Sequence, residues 1–472
     1  MRKLPLAIIA LITLVFPLAA QNVDIEALAG LQFNFGNPGA RSLAMGGAFL
    51  GLADDASAAE ANPAGLTILR KPEVSIEARN YLEQQIFTTS GTFPDIERTP
   101  FSHHSDRVNV TFASAVLPIK NKFTIGAYFH EPLNNEGGGV VAPVFDEFTG
   151  DLKKTVPNFY LPTEIRNNQA FIVGEPISKA ACEQRRRDLN NPFTCLEFRI
   201  DPFVSVVSVR QRTFGLAGAW QIHPKFSIGA NVRHQRFQES AFTFRFTQQL
   251  DQKQVLVQAT AKASGADVEL VEATDTTFGF GFKWSPTDKI SVGGVYKQGP
   301  EFETSLFYAD TASQFNLSEV GRPTFHIPDI AGLGVSIRPI PVLTINVDAV
   351  QVKYSNLADN HVTVYQSVGT LDEPFKIEDV VELRVGAEYF FATKVPIALR
   401  AGFWRDPAHS VEWNGPLTHP DFVAEAMLFP EGEDQNHFTV GAGLAWPRFQ
   451  VDVAYDTSKH YKVGSISMVT RF

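Results

Sequence analysis

The chain has 472 residues, 44% hydrophobic and 19% charged, with 39 Phe against 4 Met. That balance excludes a disordered chain and a helical membrane bundle, and the weight of aromatic residues leans toward pleated, half-buried surfaces. The net charge is −10, or −12 once Arg2 and Lys3 leave with a leader, and no basic patch is interleaved with aromatics, so nucleic acid is excluded as a partner.

Met1–Ala20 reads as a signal peptide. Arg2 and Lys3 form its positive start, Leu4–Leu18 its apolar stretch and Leu18-Ala19-Ala20 its cleavage site. The apolar run is shorter than the ~20 residues a spanning helix needs, and no Cys follows it to carry a lipid. No later run is long enough to span as a helix, so a mature chain in a membrane must sit there as a closed β-barrel.

Asn22–Pro38 is a polar-to-aromatic lead-in. Gly39–Leu69, GARSLAMGGAFLGLADDASAAEANPAGLTIL, lacks period-2 alternation. Gly46-Gly47, Asp54-Asp55 and Asn62-Pro63 break it into short helical turns joined by tight bends. Composition leaves a folded cap, a periplasmic tail and a plug equally open.

From Pro72 the texture changes. Val74, Ile76 and Ala78 alternate with Glu73, Ser75, Glu77 and Arg79, a strand with one apolar and one polar face. The pattern recurs in pairs around short turns. Asp106–Leu117 places Val108, Val110, Phe112 and Val116 on one face and meets Phe123–Phe129; Thr213–Ile222 meets Phe226–Phe237; Thr277–Trp284 meets Ile290–Gln298. Asp329–Arg338 then meets Leu343–Tyr354, Val381–Phe391 meets Ile397–Arg405, and His437–Ala445 meets Phe449–Tyr455, before Lys462–Phe472 closes the chain. With the first strand near Pro72–Leu82, the total is fourteen, and six short turns alternate with seven longer connections. The expected fold class is all-β: a 14-stranded antiparallel transmembrane β-barrel with short periplasmic turns and longer outer loops.

Trp220, Trp284 and Trp446 sit at or just before short turns, as an aromatic girdle at one rim requires. Phe472 ends an alternating strand that carries Ile466 and Met468 on one face, and it looks like the signal presented to the barrel assembly machinery. The longest connection, about Glu131 to Ile200, contains Gly137-Gly138-Gly139, the cluster Arg185–Arg187, and Cys182 and Cys195, a candidate local disulfide in an exported protein. The arginines read either as a solvated loop or as contacts to lipopolysaccharide phosphates.

Chemistry is thin. His103-His104 on a strand edge point to opposite faces, Gly441-Ala442-Gly443 is a strand pattern, and no metalloprotease, nucleophile-elbow, phosphate-loop or CxxC motif occurs. The expectation is no enzyme, no metal and no cofactor.

The tract Gly39–Leu69, through ARSLAMGGAF, ADDAS and NPAGL, resembles the N-terminal hatch of the FadL/TodX (OmpP1) family of outer-membrane transporters of hydrophobic compounds; Asn62, Pro63 and Ala64 match the hatch signature. The resemblance implies a signal peptide over 1–20, a hatch over 21–71 that plugs the lumen, and a barrel over 72–472. It further implies uptake of long-chain fatty acids or other hydrophobic compounds, held among apolar side chains and released sideways through a kink in the third strand, where Gly126 lies. The implied partners are outer-membrane lipid and a hydrophobic ligand such as a fatty acid, with the protein a monomer. PorV-type barrels that serve protein secretion share the GGAF, DDAS and NPAG elements, so a secretion role, or a structural barrel without transport, stays open beside it.

Overall fold

The computed structural model describes residues 35–81, 107–119, 122–141, 159–166, 169–172, 177–191, 194–198, 203–249, 252–259, 261–264, 267–303, 306–309, 318–321, 324–358, 375–409, 412–413, 434–459 and 461–472. The signal peptide, the first part of the expected hatch segment and His103-His104 lie outside them.

Fourteen strands form the barrel: β1 (Glu73–Tyr81), β2 (Arg107–Ile119), β3 (Phe123–Val141), β4 (Phe203–His223), β5 (Phe226–Gln249), β6 (Asp267–Thr287) and β7 (Ile290–Lys297). They continue as β8 (Ile330–Ile340), β9 (Leu343–Val352), β10 (Val380–Phe391), β11 (Ile397–Asp406), β12 (Gln435–Ala445), β13 (Phe449–Thr457) and β14 (Lys462–Arg471). Each pairs antiparallel with the next in sequence, and β14 returns to β1, with Glu73 opposite Arg471 and Tyr81 opposite Val463. Closure leaves no sheet edge around the wall at this level, which is how backbone polar groups are satisfied in lipid.

The strands are apolar outside and polar inside. On β1, Val74 and Ile76 are each 43% exposed, while Glu77 and Arg79 are 1% and 4% exposed. The same inversion runs along β9, where Val347 faces out and Asn346 and Asp348 face in. A continuous outer belt of this kind is untenable in water and is the lipid face of a membrane barrel.

Three expectations change. Val108, Val110, Phe112 and Val116 do not share a face: Val108 and Val110 point outward, whereas Phe112 and Val116 are buried inside. The cause is a bulge, because Glu77 pairs with Phe112 and Ala78 with Val110, leaving Thr111 as an extra residue. One inserted residue moves every later side chain to the other face.

Second, the wall is taller than the alternation indicates. β3 to β6 have 19, 21, 24 and 21 residues, about twice the 9–11 that cross the bilayer. Residues expected in the longest connection therefore lie in strands, Gly137, Gly138 and Gly139 opposite Val207, Val206 and Ser205. Beyond the lipid neither face need be apolar, so the pattern fades while the backbone ladder continues.

Third, Arg185–Arg187 lie not in a loop but in a helix, Lys179–Asp188. Ser178 caps its start by accepting from Ala181 N. Arg185 and Arg186 donate to the carbonyls of Thr194 and Cys195 at 2.9 and 2.8 Å, and a disulfide joins Cys182 to Cys195. Those two guanidinium groups thus hold the helix against the next segment.

Candidate functional site: the hatch and the wall beside it

Two short helices, α1 (Ala40–Leu43) and α2 (Ala58–Ala61), and a 3-10 turn (Pro63–Ile68) fill the lumen. Small residues make this possible: Ala40, Ala44, Ala48, Ala53, Ala58 and Ala61 are all fully buried. Gly46 and Gly47 hold φ of 66° and 74°, the left-handed region where a side chain is strained, and they turn the chain after α1. On the wall, a Cβ at Gly293 would collide with the Leu50 carbonyl, so only glycine lets the hatch backbone press against β7.

The inward polar residues of the wall hydrogen-bond the hatch main chain. One Asp348 carboxylate oxygen accepts from Phe49 N and Leu50 N at 2.7 and 2.8 Å. Glu77 accepts from Gly39 N at 2.9 Å. Lys283 donates to the Gly51 carbonyl at 2.6 Å and also to that of Leu52. An irregular segment inside a barrel carries backbone groups that water does not reach, and the polar lumen supplies their partners.

Ion pairs tie the two parts together as well. Arg41 bridges Asp54 at 2.6 Å and Glu388 at 2.8 Å. On α2, Glu60 lies 3.0 Å from Lys297 and 4.0 Å from both Arg233 and His130. Burial alone would raise the Glu60 pKa, but the Lys297 and Arg233 cations outweigh it and hold the carboxyl at about 2.

The expected hatch residues sit at the centre of this packing. Asn62 Nδ2 donates to the carbonyls of Leu50 and Phe282, each at 3.1 Å, and its Oδ1 accepts from Ala64 N at 3.2 Å. Pro63 opens the 3-10 turn, where a missing N–H costs nothing, and the Ala64 carbonyl accepts from Ser227 on the wall. The Asp348, Lys283 and Lys297 anchors were not singled out from the sequence. Their only signal was a charged residue on the polar face of an alternating strand, which every barrel strand shares.

Toward the outer side of the hatch lies an apolar cluster that includes Leu133, Val209, Phe237, Phe302, Phe325 and Tyr354, and the hatch enters it through Leu50. Phe237 stacks between Phe302 and Phe325, with centroids 4.7 and 4.8 Å away. Beside this cluster the wall is interrupted. Pairing of β2 with β3 runs from Ile119 opposite Phe123 to Phe112 opposite His130 and ends there. Just beyond, between His130 and Leu133, β3 carries an extra residue relative to β4, and Pro132 supplies no N–H. Glu131, buried there, is paired with Arg210 at 2.7 Å. Gly126 lies lower, with regular pairing to Val116 on one side and Ala217 on the other.

At the opposite end, Trp220 is 44% exposed and stacks on Phe123 at 5.6 Å, Trp284 is exposed, and Trp446 stacks on Phe449 at 4.5 Å. Phe472 is 68% exposed, and its N–H donates to Pro72 O at 3.0 Å.

An inside-out barrel whose bore is packed with a polar-anchored hatch is a plugged multi-pass channel of the bacterial outer membrane. The model of the outer membrane protein transport proteins (OMPP1/FadL/TodX) matches residues 25–467, and the chain belongs to that family, whose function is transport of hydrophobic compounds. Among solved structures, a Pseudomonas aeruginosa FadL homologue is 15% identical with a TM-score of 0.58, over 94% of this chain and 100% of that one. The Ralstonia pickettii toluene transporter TbuX is 15% identical with a TM-score of 0.54, over 93% and 99%. The Pseudomonas putida toluene transporter TodX is 13% identical with a TM-score of 0.53, also over 93% and 99%. At such identities the likeness establishes the fold. No curated protein sequence matches the chain.

Proposed function

We propose that the protein takes up long-chain fatty acids or comparable hydrophobic compounds and releases them sideways into the membrane through the interruption between β2 and β3. The observation that carries this reading is the adjacency of three features: the apolar cluster around Phe237, the sealed hatch, and the end of β2–β3 pairing at His130. An apolar compound gains about 0.8 kcal/mol per buried methylene, so a path lined by apolar side chains that opens into lipid avoids wetting it. Two solved relatives are described as toluene transporters, which extends the compounds to be tested to monoaromatic hydrocarbons. A protein-secretion role has no comparable support in the residues described, and no catalytic role is proposed.

The test is deletion of Pro132, which removes the residue that β3 carries in excess of β4 beside the interruption and so changes the wall at the proposed exit. Uptake of oleate and of toluene by cells expressing the folded variant should fall severalfold. Undiminished uptake of both would reject lateral release, and unchanged uptake of one would exclude that compound from the route.

A further inference from the structure

The periplasmic rim carries a ring of positive charge on a chain whose net charge is −10. Five of the six short turns contain a cation, and Arg338, near the end of β8, stands beside the sixth. Arg70, Lys71, Lys122, Lys289, Lys394 and Arg448 are exposed, and among the described residues none of them has an ion pair or a side-chain hydrogen bond. Lys225, Arg338 and Arg471 complete the ring, engaged with the Pro286 carbonyl, Asp54 and Glu73 respectively. Against them at the surface stand only Asp288 and the terminal carboxylate of Phe472 among the described residues, because Asp54 and Glu73 are set inward.

The ring coincides with the aromatic belt. The paired rings Phe123–Trp220 and Trp446–Phe449 lie at this same end of the strands, and Phe391 packs against Tyr389 at 4.9 Å. Aromatics at this level mark the membrane–water interface. Lys and Arg just beyond them lay their stems along apolar surface and set their charges at headgroup depth.

We infer that this rim binds the phosphate groups of anionic phospholipids in the periplasmic leaflet. The distribution favours lipid over a soluble acidic protein. The cations follow the perimeter, in or beside each turn, and form no single face on which a globular partner could dock. Each Lys or Arg near an anionic surface strengthens attachment roughly fivefold, and unpaired cations lose no existing partner in making the contact.

The full-length protein in detergent would be offered equal amounts of phosphatidylglycerol and phosphatidylcholine and analysed by native mass spectrometry. A variant with Arg70→Gln, Lys71→Gln, Lys122→Gln, Lys289→Gln, Lys394→Gln and Arg448→Gln would be compared, its folding read from the heat-dependent gel shift of a closed barrel. Wild type should retain phosphatidylglycerol over phosphatidylcholine by roughly tenfold, less at 1 M salt as charges are screened, and the variant should retain the two about equally. Should the sixfold variant not fold, Lys289→Gln with Lys394→Gln serves, and a partial loss of preference is expected. Equal retention by wild type, or an unchanged preference in a folded variant, overturns the inference. So does displacement of phosphatidylglycerol by millimolar inorganic phosphate, which would make this a simple anion site. Capture of soluble polyglutamate without any lipid preference would assign the ring to an acidic protein and likewise overturn it.

Discussion

Lys297 of the barrel wall stands 3.0 Å from Glu60 of the hatch, and both side chains are buried. Lys297 and Arg233 both face this one carboxylate, so its removal leaves two cations without it. Glu60→Gln should destabilise hatch docking by about 3 kcal/mol, the cost of breaking a buried pair. Amide hydrogen exchange over Ala58–Ala61 would show it as lost protection, with the barrel strands unaffected.

The same pair sets a pH dependence. The Glu60 pKa is depressed in the folded state, from 4.5 to about 2. Its stabilisation is therefore complete above about 4.5 and is lost as pH falls from there toward 2. Hatch protection measured at pH 7, 5 and 3 should hold between the first two and drop at the third in wild type. In Glu60→Gln this component of the drop should be absent.

Gly293 is tested by adding a single methyl group. Its Cβ would overlap the Leu50 carbonyl, which is main chain and cannot rotate away. Gly293→Ala should displace the hatch from β7 and open the bore. Cells carrying it should admit large hydrophilic antibiotics that wild type excludes, while the barrel retains its heat-dependent gel shift.

Asn62 joins the hatch to itself and to the wall through Leu50, Ala64 and Phe282. Asn62→Ala leaves these buried groups without that partner, at a cost of about 1–3 kcal/mol. The expected result is a lower thermal transition for hatch release, and Asn62→Asp should not restore it because the donor is lost.

Cys182 and Cys195 are 13 residues apart, and a loop of that size is worth about 3 kcal/mol in chain entropy. Replacing both by Ser should make the helix Lys179–Asp188 protease-sensitive. The barrel's melting temperature should not move, since the bridge joins no two barrel strands.

The alternation of residues such as Val74 and Ile76 with Glu77 and Arg79 by itself determined the strand number, the closure and the membrane. A period of two is a local property that lipid on one side and a polar bore on the other impose directly. The breakers in Gly39–Leu69 likewise determined a compact non-strand element before the barrel. What only the tertiary structure decided depends on partners far apart in the chain. The face reached by Phe112 turned on one extra residue opposite β1. The height of β3–β6 rested on backbone pairing that needs no apolar pattern. The seating of the hatch brought Glu60 to Lys297 and Phe49 to Asp348 across more than two hundred residues. Gly126 keeps regular pairing on both sides, whereas pairing of β2 with β3 stops at His130, next to the β3 bulge at Glu131–Pro132, because where a ladder ends depends on the neighbouring strand and not on the residue alone.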